Sequence, residues 1–230
     1  MTPADWDQSS VRDGTTRMLE LRARALQRGE RHVGWKLAFG APASLARFGL
    51  SGPVIGFLTD ATVHPSGSTV SCSGWAGPVA EPELAAYFDR DVDDPGQASD
   101  SIGGIGPAIE LANVDPPPAD IGEVIAGNIY HRAVLFGDPD DRIAGFDVRG
   151  LRGTVEHDGE TVGELDDLEG LTGRIEFIVA HAAGLLHAAG ETFRRGDVVI
   201  LGSVTPPLGI RPGQEIRFTL GAMKPVIVRV

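Results

Sequence analysis

Hydrophobic residues recur at helical spacing in two segments of the chain and at strand spacing in much of the remainder. The segments Thr15 to Arg28 and Leu171 to Ala189 each carry an apolar stripe with a helical period, so both are predicted helices. From residue 133 onward, short apolar runs alternate with turn residues, and Asp158-Gly159 is typical of the turn of a hairpin. A chain with many strands and few helices is predicted to be α+β or mainly β.

The remaining elements and the domain organisation follow from the same pattern. A short strand is predicted at residues 32–40 with Lys36 in its middle, and a short helix from Pro42 to Phe48 with Gly49 as its stop. Residues 1–13 are mostly polar and are predicted to form a flexible N-terminal lead. Residues 14–230 are then predicted to form a single domain.

Composition and charge restrict the class of protein. The 230 residues are 42% hydrophobic, carry a net charge of −12 and include one cysteine, Cys72, so a large core needs no internal disulfide. We find no signal-peptide core and no run long enough to span a membrane, which predicts a cytoplasmic protein. The acidity argues against partners such as nucleic acid and anionic membranes. An anionic substrate would need local positive charge or a metal.

Three glutamates are candidates for a metal site. Glu81 and Glu83 lie two positions apart in a segment that favours a strand, so both side chains point to one face. Two poorly solvated carboxylates need a proton or a cation between them. Glu110 is a lone charge in an apolar run, and three carboxylates suit Mg²⁺ or Mn²⁺. The alternative is a solvated face of an edge strand, with Pro82 marking the edge.

The order and spacing of several segments resemble the 2-keto-4-pentenoate hydratase / 4-oxalocrotonate decarboxylase family, within the fumarylacetoacetate hydrolase superfamily. The resemblance runs from about Arg17 to Val230. The matching segments are Gly34-Trp-Lys36-Leu-Ala, Pro53-Val-Ile-Gly-Phe-Leu58, Glu81-Pro-Glu83-Leu-Ala, Pro107-Ala-Ile-Glu110, Ile125-Ala-Gly-Asn128 and Gly196-Asp-Val-Val-Ile-Leu-Gly-Ser-Val-Thr-Pro-Pro207.

This resemblance implies a mixed β-roll with a few outer helices, assembled into a homo-oligomer, with Mg²⁺ or Mn²⁺ held by Glu81, Glu83 and Glu110. A 2-oxo acid can chelate such an ion, which polarises the ketone and stabilises the enolate beside it. We therefore expect a metal-dependent, hydratase-like lyase acting on a small 2-oxo or 2-hydroxydienoate acid in the degradation of aromatic compounds. The alternatives are a 4-oxalocrotonate-type decarboxylase, an acylpyruvate-type C–C hydrolase, or a non-catalytic partner subunit or ligand binder.

The resemblance also assigns individual roles and shows departures. Lys36 is expected to bind the substrate carboxylate or donate a proton, or to partner one of the glutamates. Val54 stands where the family commonly has an acidic residue, and the family's small residues after Asn128 are replaced here. His131 is a candidate proton carrier in place of that acid, or a satisfied histidine. The expected substrate contacts are Asn128, Tyr130, Ser203 and Thr205, although Ser203 and Thr205 also suit a turn before Pro206. A partner decarboxylase or hydratase is a further possibility.

Overall fold

Two β-sheets and four α-helices make up the fold in a computed structural model that describes residues 2–117, 119–138, 142–143 and 145–230. The helices are α1 (Ser9–Gln27), α2 (Pro42–Phe48), α3 (Ile121–Ala126) and α4 (Ile175–Ala188). The strands are β1 (His32–Ala38), β2 (Val54–Thr59), β3 (Val63–Pro65), β4 (Pro78–Phe88), β5 (Ile102–Asn113), β6 (His131–Phe136), β7 (Gly153–His157), β8 (Glu160–Leu165), β9 (Val198–Ser203), β10 (Leu208–Gly209), β11 (Glu215–Leu220) and β12 (Val226–Arg229).

The larger sheet is mixed and has the order β2-β1-β9-β4-β5-β6-β3, with β10 paired to β4. Strand β1 is parallel to β9 and β3 is parallel to β6, whereas the other pairs are antiparallel. The smaller sheet is antiparallel in the order β12-β11-β7-β8. Positive φ angles at Asp158 and Gly159 form the predicted hairpin turn. This architecture confirms the predicted α+β fold with a mixed sheet.

The long strands β4 and β5 lie in the centre of the larger sheet and are buried along most of their length. Their side chains are mainly small or aliphatic, among them Ala80, Leu84, Ile109 and Leu111, which are at most 2% exposed. Such strands have both faces covered and read as continuous apolar runs. A carboxylate placed on either strand is therefore held in poorly solvated surroundings. Among the described helices, we find none that combines the length and the apolar character of a membrane span.

The predicted flexible lead over residues 1–13 is wrong for the part that the structure describes beyond Pro3. A short 3₁₀ helix covers Ala4–Asp7, and α1 begins at Ser9 rather than at the predicted Thr15. The carboxylate of Asp5 accepts hydrogen bonds from the backbone N–H and the hydroxyl of Ser51, each 3.0 Å long. Val11 is fully buried and extends the apolar stripe of α1 by two turns. Polar composition was a poor guide here because Asp5 is buried and its carboxylate tethers the segment to Ser51.

Close helix packing beside the sheet depends on two glycines. A Cβ atom at Gly14 of α1 would lie 2.6 Å from the carbonyl oxygen of Gly122 in α3, and one at Gly122 would lie 2.8 Å from the carbonyl oxygen of Ser10. Both collisions involve backbone atoms, which cannot rotate away as a side chain can. The two helices can therefore approach to this distance only without side chains at these positions.

We expect Gly14→Ala to lower the free energy of unfolding by up to about 2 kcal/mol, because overpacking costs about 1–3 kcal/mol and the helix propensity of alanine offsets only roughly 1 kcal/mol of it. Urea unfolding of the purified protein measures the change. Gly127→Ala, at the end of α3, is the matched control because its Cβ would make an ordinary 3.4 Å contact with the carbonyl oxygen of Glu123. Equal stability of the Gly14→Ala variant and wild type would contradict the close-packing argument.

Candidate metal centre

The pairing of β4 with β5 brings three carboxylates together. Glu81 lies directly opposite Glu110 in the antiparallel register, and Glu83 lies two residues further along β4, on the same face. Oxygen atoms of all three side chains lie within 4.8 Å of one another. Glu83 and Glu110 are buried, whereas Glu81 is half-buried and lines a cavity. The cluster predicted from the sequence is thus present in the fold.

Glu110 uses its two oxygens differently. Its Oε1 accepts hydrogen bonds from Lys36 Nζ and from His131 Nδ1, the latter 2.7 Å long. Its Oε2 is buried and has no hydrogen-bond partner among the described residues. A buried carboxylate oxygen without a partner is costly, so its position needs an explanation such as an ion that the protein binds.

Burial and mutual repulsion perturb the three carboxyl groups. Burial raises the pKa of Glu81 to about 7, with a further contribution from Glu110 and an opposing one from Lys36. Burial, Glu110 and Glu81 hold the pKa of Glu83 well above its ordinary value. At Glu110 burial acts in the same upward direction, but Lys36 and His131 outweigh it and lower the pKa. Two of the three groups therefore lack sufficient positive charge nearby.

The donor set fits one divalent ion. Hard carboxylate oxygens are the ligands that Mg²⁺ and Mn²⁺ prefer, and the free Oε2 of Glu110 supplies one of them. Glu83 keeps one oxygen for this purpose because its Oε2 accepts a 2.7 Å hydrogen bond from Gly202 N–H. A divalent ion together with the Lys36 ammonium would balance the charge of three carboxylates. The residues present thus suit the ion that the sequence predicts.

Two of the glutamates, Glu81 and Glu83, border a cavity of about 280 Å³, a size that suits a small acid. Strands β1 and β4 contribute its charged side chains, whereas its apolar wall comes from β1, from the end of β5 and from loops that include those after β1 and before α4. The described lining residues are Lys36, Leu37, Ala38, Phe39, Gly40, Ala41, Ser44, Glu81, Glu83, Ala112, Val114, Ile129, Tyr130, Leu171, Thr172, Gly202, Ser203, Thr205 and Pro207.

Four of the predicted site residues besides the glutamates line this cavity. They are Lys36, Tyr130, Ser203 and Thr205. The hydroxyl of Thr205 is buried and has no hydrogen-bond partner among the described residues, so it is available to a ligand. The hydroxyl of Ser203 donates to the carbonyl of Pro82 at 3.3 Å, and that of Tyr130 donates to the carbonyl of Pro116 at 2.7 Å.

His131 lies behind Glu110 rather than in the cavity. It is buried, is absent from the described cavity lining, and contacts Glu110 through Nδ1 and the Thr62 hydroxyl through Nε2 at 2.9 Å. Burial lowers the pKa of His131 although the hydrogen bond with Glu110 opposes the change. Because an ionised carboxylate only accepts, Nδ1 is the protonated nitrogen. The geometry therefore favours the satisfied histidine over the predicted proton carrier.

Asn128 is committed to the backbone of β2. Its Oδ1 accepts from Phe57 N–H at 2.8 Å, and its Nδ2 donates to the Phe57 carbonyl at 3.0 Å. The amide is buried and the residue is not in the described cavity lining. The geometry therefore does not favour the predicted contact between Asn128 and the substrate. The amide instead fixes the segment that follows it.

That segment is a left-handed turn. Asn128, Ile129 and Tyr130 have φ angles of 59°, 51° and 61°, a conformation that is rare for a β-branched residue such as Ile129. The turn places the Ile129 carbonyl 3.2 Å from Lys36 Nζ and Tyr130 at the cavity. Sequence analysis missed Ile129, because nothing in its residue type indicates a positive φ. Gly202, with φ of 92° and a hydrogen bond to Glu83, was also missed, although a glycine near the end of a buried strand can indicate a positive φ.

Comparison with known proteins places the chain among related sequences. A sequence model of the fumarylacetoacetate (FAA) hydrolase C-terminal family matches residues 33–230. A 4-oxalocrotonate decarboxylase of Pseudomonas putida is 28% identical over 218 residues, which cover 92% of this chain and 82% of the relative. A 2-hydroxyhexa-2,4-dienoate hydratase of Comamonas testosteroni is 24% identical over 218 residues, covering 90% and 80%.

A solved structure shares the fold. The 4-oxalocrotonate decarboxylase from Pseudomonas putida G7, complexed with magnesium and adipate, superimposes with a TM-score of 0.82 and 26% sequence identity. The match covers 92% of this chain and 82% of that chain. This similarity confirms the α+β fold expected from the resemblance.

We expect Asn128→Asp to destabilise the protein by about 1–3 kcal/mol, because the Phe57 carbonyl would lose its donor and face a carboxylate oxygen instead. Denaturant unfolding measures this loss. Asn113→Asp is the matched control, since the described contact of Asn113 uses only its Oδ1, which accepts from Gly77 N–H at 2.9 Å. Equal losses in the two variants would contradict the special role of Asn128.

Proposed function

The chain belongs to the fumarylacetoacetate hydrolase C-terminal family, and from this premise we propose that it is a divalent-metal-dependent lyase of the hydratase and decarboxylase type. Its substrate would be a small 2-oxo or 2-hydroxydienoate acid from the degradation of aromatic compounds. The names of the relatives support this class, since they include a decarboxylase and a hydratase of such acids.

The observation that carries the proposal is the unpartnered Oε2 of Glu110 beside Glu81 and Glu83 at a small cavity. We propose these three side chains as the ligands of Mg²⁺ or Mn²⁺; the relative of known structure is complexed with magnesium. When bound, the ion would polarise the 2-oxo group of the substrate and stabilise negative charge that develops beside it.

Lys36 is the proposed residue for contact with the substrate. Lys36 lines the cavity, and its ammonium group is held by Glu110 Oε1 and by the Ile129 carbonyl. Two fixed acceptors leave one of its three N–H donors for a substrate oxygen. From this position Lys36 can orient the substrate carboxylate or move a proton to a carbon atom of the bound acid.

Neighbouring residues position this set and complete it. His131, itself hydrogen-bonded to the Thr62 hydroxyl, holds Glu110 from behind, and Gly202 N–H holds Glu83, so we propose these three residues as positioning residues. The free hydroxyl of Thr205 supports a direct hydrogen bond with the substrate. Tyr130 and Ser203 remain proposed contacts because both line the cavity.

Several predictions rest on the resemblance and the sequence alone. On that basis we propose that the protein forms a homo-oligomer, that a decarboxylase or hydratase is its partner, and that it is located in the cytoplasm. The non-catalytic alternative loses support because Lys36, the glutamates and the cavity occur together as catalysis would require. The substitution at Val54 is the remaining feature in its favour.

We expect Glu83→Gln to lose most of its affinity for Mn²⁺ while it stays folded, because the amide oxygen can still accept from Gly202 N–H but carries no charge. Calorimetric titration and thermal melts test this. Saturating metal at about 100 times Kd should stabilise wild type by about 2.7 kcal/mol and the variant by far less. Glu164→Gln, at an exposed position of β8, is the matched control. Equal affinity in Glu83→Gln and wild type would remove Glu83 from the proposed site.

A direct assay tests the activity. We expect turnover of 2-hydroxypenta-2,4-dienoate or 4-oxalocrotonate that requires Mg²⁺ or Mn²⁺ and falls by at least about 100-fold in Lys36→Met, as expected when a proton-transfer or orienting group is lost. An acylpyruvate tests the hydrolase alternative in parallel. Metal binding with no turnover of any of the three acids would favour the non-catalytic alternative.

A further inference from the structure

The lining of the cavity contains little positive charge. Lys36 is the one cationic side chain among the described lining residues, and Glu110 already neutralises it. Every lysine, arginine and histidine of the sequence is among the described residues, so no basic side chain outside them could contribute to the lining. An acid that chelates an ion at the glutamates therefore finds no second cation along the remaining wall.

That remaining wall is mostly apolar. It includes Phe39 and Ala41 from the loop after β1, Val114 after β5, Leu171 before α4, and Pro207. The uncharged polar side chains of the described lining are hydroxyl-bearing ones, namely Ser44, Tyr130, Thr172, Ser203 and Thr205. An ionised carboxylate buried against such a wall would lose its hydration without gaining a charged partner, which opposes its binding.

We infer that this cavity selects a substrate with a single carboxylate and an uncharged hydrocarbon tail, and discriminates against an acid with a second carboxylate at the tail end. The inference rests on the proposed function and narrows it to the hydratase type. A decarboxylase of 4-oxalocrotonate would have to bind the second carboxylate before releasing it as CO₂.

Two arginines outside the lining are the main candidates for a cation that could pair with a second carboxylate of the substrate. Arg47 of α2 is exposed and stacks over the ring of Phe48 at 5.0 Å, and it acts electrostatically on Tyr130. Arg174 lines an adjacent cavity that shares Gly40, Leu171 and Thr172 with the first, and it pairs with Glu176 at 3.1 Å. Leu171 and Thr172 therefore border both spaces, and a tail would have to pass them to reach Arg174.

The test compares two unreactive probes that differ only at the tail end, 2-oxohexanoate with a methyl group and 2-oxohexanedioate with a carboxylate. Calorimetric titration into the Mn²⁺-loaded protein gives both affinities. We expect the monocarboxylate to bind at least about tenfold more tightly, because the second carboxylate is desolvated without a partner. Turnover of the corresponding dienoates should follow the same order.

Substitution of the wall tests the cause. We expect Leu171→Lys to shift the affinity ratio toward the dicarboxylate by about tenfold or more, whereas Leu171→Met should leave it near the wild-type value. Thermal melts of both variants check folding, and Ala41→Lys provides a second position if Leu171→Lys does not fold.

The possible outcomes distinguish a failure of the inference about the substrate tail from a failure of the proposed function. Equal or tighter binding of the dicarboxylate overturns the tail inference but leaves the proposed function in place, and loss of that preference in Arg47→Gln or Arg174→Gln would identify the cation responsible. Failure of both probes to bind in the presence of Mn²⁺ would overturn the proposed function, and the inference with it.

Discussion

The site depends on one constraint, the burial of three carboxylates where two central strands pair. The register that sets Glu81 opposite Glu110 leaves more negative charge in the sheet than Lys36 can balance. A shift of one residue between β4 and β5 would turn Glu81 and Glu83 to the opposite face. The apolar residues of both strands fix that register because their own burial requires it. The fold therefore maintains the cluster through packing, although the charges oppose it.

Surrounding contacts are arranged around this unfavourable cluster. Lys36 and His131 occupy one oxygen of Glu110, and Gly202 N–H occupies one oxygen of Glu83, which orients the other oxygens toward a shared position. The left-handed turn after Asn128 is part of the same arrangement, since the Ile129 carbonyl takes a further donor of Lys36. Backbone strain at such a residue persists only when its surroundings hold it, as the two hydrogen bonds between Asn128 and Phe57 do.

Sequence reasoning found the carboxylates because local physics determines their relation. A two-residue period puts Glu81 and Glu83 on one face, and apolar neighbours make a lone Glu110 costly. The role of Asn128 could not be predicted in this way, because its partner Phe57 is distant in the sequence and, although asparagine is common in left-handed turns, Ile129 is not. For His131 the sequence left two alternatives open, a proton carrier or a satisfied histidine, because its position depends on the same turn. The early start of α1 was missed because polarity was read as exposure, although Asp5 and Val11 are buried.

The charged groups of the site and the wall that would contact a substrate tail come from different parts of the fold. The charged groups lie on β1, β4 and β5, whose backbone is fixed on both sides by hydrogen bonds, so their geometry is preorganised. The wall that would contact a substrate tail comes largely from loops, which tolerate substitution. Val54 belongs to neither group: it is 1% exposed and packs in the core, where an ionised acid would lack a partner. Under the proposed function, proton transfer therefore falls to groups that line the cavity, and Lys36 is the one basic side chain among the described lining residues.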